Sequence, residues 1–126
     1  MPPTIYPTLR YNDAKAAMRW LTDSFGFTEH SVMSSPDGTV NHAELAWGDG
    51  GMVMIGSRSD TPSPFDTGRA CIYLVTDDPD GLHKRATEAG AEIVMELTDQ
   101  DYGSREFAAA DPEGNVWCLG TYQPAR

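Results

Sequence analysis

The sequence predicts an α+β fold made of two βαβββ modules whose curved mixed sheets surround a shared cleft. Three observations predict it: an internal repeat, one helical stretch in each half, and turn residues that cut the remainder into strand-length pieces. In the repeat, Leu9-x-x-Asn12-Asp13 returns as Leu74-x-x-Asp77-Asp78, 65 residues later. Phe25-Gly26-Phe27 falls on Ala89-Gly90-Ala91, Asp49-Gly50 on Glu113-Gly114, and 52–56 on 116–120, each 64 residues later. Identities are few, but a nearly constant offset across four markers argues for duplication.

Each half then reads alike. Residues 4–10 form a short β-like run, and Asn12 or Asp13 can cap a helix. Ala16, Ala17, Trp20, Leu21 and Phe25 recur at helical spacing, and Gly26 stops the helix. Strands follow at 27–34 and 39–47 around Ser35-Pro36-Asp37-Gly38, and at 52–57 after the turn Gly48-Asp49-Gly50-Gly51. The polar stretch 58–67, RSDTPSPFDT, reads as a linker. The second half opens with the apolar run 70–75. Asp78 caps a helix with Pro79 at its first position, and Gly90 ends it. Strands follow at 91–97, 105–110 and 115–122. The expected organisation is one domain, 1–126, with modules at about 4–57 and 68–122.

Composition narrows the function classes. With 126 residues, 40% hydrophobic and 22% charged, the chain can bury one core and is not of disordered type. A net charge of −10 argues against nucleic acid, whose phosphates attract basic surfaces, and fits either a cationic ligand or solubility alone. No apolar run is long enough to span a membrane. The start, MPPTIYPTLR, lacks a signal pattern, and two cysteines, Cys71 and Cys118, make no disulfide framework. A cytoplasmic location is the expectation.

The segment DYGSREFAAADPEGNVWCLGTY, with R-E-F-x-x-x-D-P-x-G-N ahead of an apolar strand, resembles the closing segment of the vicinal-oxygen-chelate superfamily. That group holds glyoxalase I, extradiol dioxygenases and bleomycin-binding proteins. Asn41-His42-Ala43-Glu44-Leu45 before a Gly-Asp-Gly turn is similar to its PhnB-like branch. The resemblance spans about residues 4–122 and implies the glyoxalase/bleomycin resistance fold. It also implies metal ligands, typically His, Gln or Glu, on the first and last strands of each module. This sequence carries Tyr6, Met54, Cys71 and Cys118 there, a set that does not suit a hard divalent ion. The expectation is therefore no cofactor; a divalent metal is the alternative the family implies.

Other candidates come from period-two alternation. His42 and Glu44 share a strand face and make either an acid–base couple or a plain ion pair. Cys71 and Cys118 are either a soft-metal pair or inert apolar residues. The resemblance makes Tyr102 a candidate stacking residue, since bleomycin-binding relatives line their groove with an aromatic there. Tyr6, Met54, Tyr73 and Cys118 share the parity of the expected cleft face; Trp117 has the opposite parity and is either ligand contact or core. Arg105 pairs with a carboxylate or meets a ligand anion, as Arg69 could. DPEGN at 111–115 reads as a hairpin turn. The expected function is a metal-free protein binding a small cationic or aromatic antibiotic or metabolite, leaning away from an enzyme. The alternatives are a metal-dependent lyase, isomerase or dioxygenase, or a cofactor-free enzyme using His42 and Glu44. A homodimer is expected, because short strands leave edges to cover.

Overall fold

A computed structural model describes residues 2–48 and 50–125. Asp49, one member of the expected Gly48–Gly51 turn, lies outside the described residues. The element order is β1 (Thr8–Tyr11), α1 (Ala14–Phe25), β2 (Thr28–Ser34), β3 (Val40–Trp47), β4 (Gly51–Ser57), β5 (Cys71–Val75), α2 (Pro79–Glu88), β6 (Glu92–Asp99), β7 (Arg105–Ala110) and β8 (Val116–Gly120). This is βαβββ twice, as the repeat predicts. Each module forms its own four-stranded mixed sheet, in the orders β1-β4-β3-β2 and β5-β8-β7-β6. The first and last strands of each module run parallel, and the other neighbours antiparallel.

The chain divides into two compact units. Unit 1 holds the chain up to Thr22 and Gly26–Gly68, and unit 2 holds Asp23–Phe25 and the chain from Arg69. Capping chemistry sets the helices. The Asp13 carboxylate accepts from Ala16 N at 3.1 Å, and Gly26, at φ 85°, closes α1 in the left-handed conformation that glycine tolerates. Asp78 accepts from Gly81 N at 3.0 Å with Pro79 opening α2. That helix ends at Glu88 with Ala89 as its cap, and Gly90, at φ 86°, follows in the left-handed conformation as the expected stop.

Alternation sorts each sheet into a buried and an open face. In unit 1 the buried residues are Leu9, Tyr11, Ala43, Leu45, Val53 and Ile55, together with Ala14, Ala17, Met18 and Leu21 from one stripe of α1. In unit 2 they are Leu74, Phe107, Ala109, Trp117 and Leu119, with α2 packed on β6 and β7. The Phe107 ring is fully buried between the Phe25 and His83 rings, with centroids at 6.4 and 5.2 Å.

One sequence expectation needs correction. The first strand begins at Thr8, not at residue 4, so Tyr6 lies ahead of the ladder. Prolines at 2, 3 and 7 remove the backbone donors an earlier start would need; the Pro7 carbonyl still accepts from Met54 N at 2.9 Å. The 58–67 stretch, which connects β4 to β5, is held by its own hydrogen bonds. The Arg58 guanidinium donates to the carbonyls of Thr67 and Asp66, each at 2.9 Å, and the Asp66 carboxylate accepts from Ser59 N at 2.9 Å. These bonds close the segment into a loop.

Candidate functional site

On the open face of unit 1, β3 and β4 place Glu44 opposite Met54. His42, two residues from Glu44, shares that face, and its Nε2 lies 2.9 Å from Glu44 Oε2. His30 on β2 reaches within 3.9 Å of the other carboxylate oxygen. Both members of the couple are partly open to water, with side-chain exposures of 37% and 28%. Tyr6 stands 37% exposed ahead of β1, and Thr8, not Tyr6, is the direct neighbour of Met54.

The open face of unit 2 is more closely built. Tyr73 on β5 pairs with Cys118 on β8, and Cys71 pairs with Val116, so the two thiols are diagonal neighbours on one face. Both are free. Burial, then the charge of Glu106, then Cys71 push the Cys118 thiol up to about 11, so it stays protonated at neutral pH. The Tyr73 hydroxyl donates to the Tyr122 carbonyl at 2.8 Å, and Tyr122 N donates to Ser104 Oγ at 3.1 Å. Burial raises the Tyr73 phenol.

A tight turn after β6 completes this face. Gln100 N donates to the Ser104 carbonyl at 2.7 Å, and Gly103 N to the Gln100 carbonyl at 3.1 Å. The turn brings Tyr102 back over β7, where its hydroxyl donates to Glu106 Oε1 at 2.7 Å; Gln100 Nε2 donates to the same oxygen at 3.4 Å. Its ring meets that of Tyr122 edge-on at 6.1 Å. The bond to Glu106, which favours the neutral phenol, raises Tyr102 to about 12. Glu106 itself is only 6% exposed. Beneath it lies Gly120, where a Cβ would come within 3.0 Å of Glu106 Cγ and 2.8 Å of the Tyr73 hydroxyl. This close approach requires glycine.

Trp117 is withdrawn from the ligand set. It is fully buried in unit 2 and its Nε1 donates to Asp111 Oδ2 at 3.1 Å. The opposite parity on β8 is the reason. Asp111 also accepts from Glu113 N and Asn115 N, both at 3.0 Å, so DPEGN is a hairpin turn locked by its own carboxylate. Arg105 does not present an anion site. Its guanidinium forks onto Asp80 at 2.7 and 3.2 Å and onto Asp99 at 3.1 Å, which raises Arg105 and lowers Asp80. Sequence reasoning missed Glu106, Ser104, Gln100 and Tyr122. The available signal for Glu106 was its place two residues before Ala108, as a lone charge on the face opposite Phe107 and Ala109.

A pocket of ≈ 670 Å³ lies elsewhere in unit 1, lined by Arg10, Lys15, Asp37, Arg58 and Asp60 among others. Its arginines are already engaged, Arg58 by the loop carbonyls and Arg10 by Asp66 at 3.6 Å and the Phe65 ring at 5.6 Å. The site chemistry therefore concentrates on the open sheet faces.

The fold and this face define a class. The chain matches the family model of the Glyoxalase/Bleomycin resistance protein/Dioxygenase superfamily over residues 5–119, and it belongs to that superfamily. It is 34% identical to the uncharacterised Mycobacterium bovis protein Mb0911c over 131 residues, covering 98% of this chain and 85% of that one. It is 32% identical to the anthracycline biosynthesis protein DnrV of Streptomyces peucetius, covering 90% of this chain and 46% of DnrV. Among solved structures, TioX from Micromonospora sp. ML1 superposes with a TM-score of 0.77 at 32% identity, covering 94% of this chain and 99% of TioX.

The family's metal chemistry does not fit the residues in its ligand places. A phenol, a thioether and two thiols, one of them held protonated, are poor donors for Mg²⁺, Mn²⁺, Fe²⁺ or Ni²⁺. Among the described residues, no group of three or more His, Cys, Asp or Glu is arranged to hold a metal ion. No described helix is long and apolar enough to cross a membrane.

Proposed function

We propose that this protein is a metal-free binder of a small, planar aromatic molecule, taken up on the open sheet face of unit 2. The observation that carries the reading is the face of unit 2. There, Tyr73, Tyr102 and Tyr122 gather around a protonated thiol at the place where the family would put a ligand carboxylate. Aromatic edges and faces attract flat rings and cations, worth about 0.5–2 kcal/mol per good contact. The names of the relatives support the direction, since DnrV is a protein of anthracycline biosynthesis and anthracyclines are planar aromatics. The chain acts in this reading as a homodimer in the cytoplasm, with the partner covering sheet edges such as β2, where Met33 is 60% exposed.

Calorimetric titration tests the reading. Cationic planar aromatics should release heat with wild type and bind about tenfold more weakly to Tyr102→Ala. Silence from such compounds, with heat from a carboxylate or phosphonate metabolite instead, contradicts it.

One observation favours a second reading. The 2.9 Å bond between His42 and Glu44 has the geometry of a base held by an orienting carboxylate, which a cofactor-free enzyme could use. Loss of a turnover on His42→Ala, with ligand binding retained, would establish it.

A further inference from the structure

We propose that Glu106 anchors a ligand ammonium group on the open face of unit 2, so that the bound molecule is a primary or secondary amine. This deepens the binding reading above and rests on it. Glu106 is buried but for 6% of its surface, and the described residues use only one of its two oxygens. Oε1 accepts from Tyr102 and Gln100, whereas Oε2 has no hydrogen-bond partner among the described residues. Oε2 is not among the buried unpaired atoms, so it opens onto this face, where a ligand donor can reach it.

No described residue pairs with that oxygen. No Lys, Arg or His forms an ion pair with Glu106 among the described residues. The adjacent Arg105 is committed to Asp80 and Asp99. Tyr73, Tyr102 and Cys118 face Glu106, and each is raised in part by its presence. None of the three supplies a positive charge at pH 7. A compact cation that donates hydrogen bonds suits the open Oε2, and an ammonium fits. The Tyr102 and Tyr122 rings stand beside it to add cation–π attraction and to carry the flat remainder of the molecule.

The test uses daunorubicin, a planar aromatic with one primary amine, and its neutral N-acetyl derivative, titrated by fluorescence into the full-length protein. Wild type should hold the amine at least about tenfold tighter than the N-acetyl compound, the scale of one charge-assisted hydrogen bond. Glu106→Gln should erase that preference by loosening the amine alone. Glu88→Gln, a surface change on α2, should preserve it. Equal affinity of wild type for both compounds, or a preference that survives Glu106→Gln, overturns the anchor while leaving the binding reading intact. If wild type binds neither compound, the binding reading fails and the anchor with it. The two-compound comparison on wild type needs no variant, so it decides the matter even if Glu106→Gln folds poorly.

Discussion

The two open sheet faces come from one repeated plan and hold different chemistry. The 64-residue repeat puts His42 and Glu106 at equivalent places, the third and seventh strands of the chain, with Gly56 and Gly120 as the matching glycines. In unit 1 the polar group is an imidazole tied to a half-open carboxylate that water can reach. In unit 2 it is a carboxylate covered by a turn, with a phenol clamped on one oxygen. The backbone positions match; the burial does not. What differs is the loop before the strand, because only the Gln100–Ser104 turn folds an aromatic residue back over its own sheet. Exposure leaves an ion pair worth little, and burial makes a carboxylate consequential.

The buried faces sharpen the same contrast with the largest expected effect. Phe107 occupies the place where unit 1 has Ala43, and both are fully buried. Phe107→Ala should destabilise the protein by about 3–5 kcal/mol, read from urea unfolding, because it empties the space between the Phe25 and His83 rings. A loss below about 1 kcal/mol would mean that unit 2 is packed no more tightly around this position than unit 1.

The glycine pair gives a smaller effect. Gly120→Ala pushes a methyl against the Tyr73 hydroxyl at 2.8 Å, Ser104 Oγ and Glu106 Cγ, an overpacking cost of about 1–3 kcal/mol. Gly56→Ala meets the Asn41 carbonyl at 3.1 Å and the movable Arg10 side chain at 3.2 Å, and should cost less. Equal losses would contradict the claim that the unit 2 face is the more tightly built.

Tyr102 supplies a pH signature. Its phenol is raised to about 12 by the bond to Glu106, against an ordinary value of 10.0. The folded state thus holds the proton more tightly than the unfolded chain. The contribution to stability is complete below pH 10.0 and is lost as pH rises toward about 12. Tyrosinate absorbance should show one late-titrating phenol that returns toward the ordinary value in Glu106→Gln. An unchanged titration in that variant would detach Tyr102 from Glu106.

The smallest effect is expected at the unit 1 couple. Glu44→Gln should change stability by about 0.2–1 kcal/mol, since a half-exposed pair is solvent-screened. A much larger loss would remove the contrast between the faces.

Much of this was readable in the sequence. The repeat, the Asp13 and Asp78 caps and the DPEGN turn announce βαβββ twice, because each rests on local chemistry. Period-two alternation put His42 with Glu44 and assigned Trp117 the parity of the buried face. Other features depended on non-local geometry. The start of β1 was misplaced because Pro7 withholds a donor that periodicity does not register. Glu106 was overlooked because its burial comes from the Gln100–Ser104 turn, and bulges between Ile93 and Met95 and between Met95 and Thr98 break the alternation that would have aligned β6 with it. Arg105, adjacent in sequence, drew attention to the opposite face, where Asp80 from α2 meets it.

The central claim is that small molecules bind here without a metal. It is tested most directly by titrating daunorubicin into protein treated with a chelator and into the same protein after adding back Mg²⁺, Mn²⁺, Fe²⁺ or Ni²⁺ in turn. The account predicts the same affinity and stoichiometry in every sample, with no metal retained after desalting. Binding that appears only with one of these ions, together with stoichiometric retention of that ion, would contradict it.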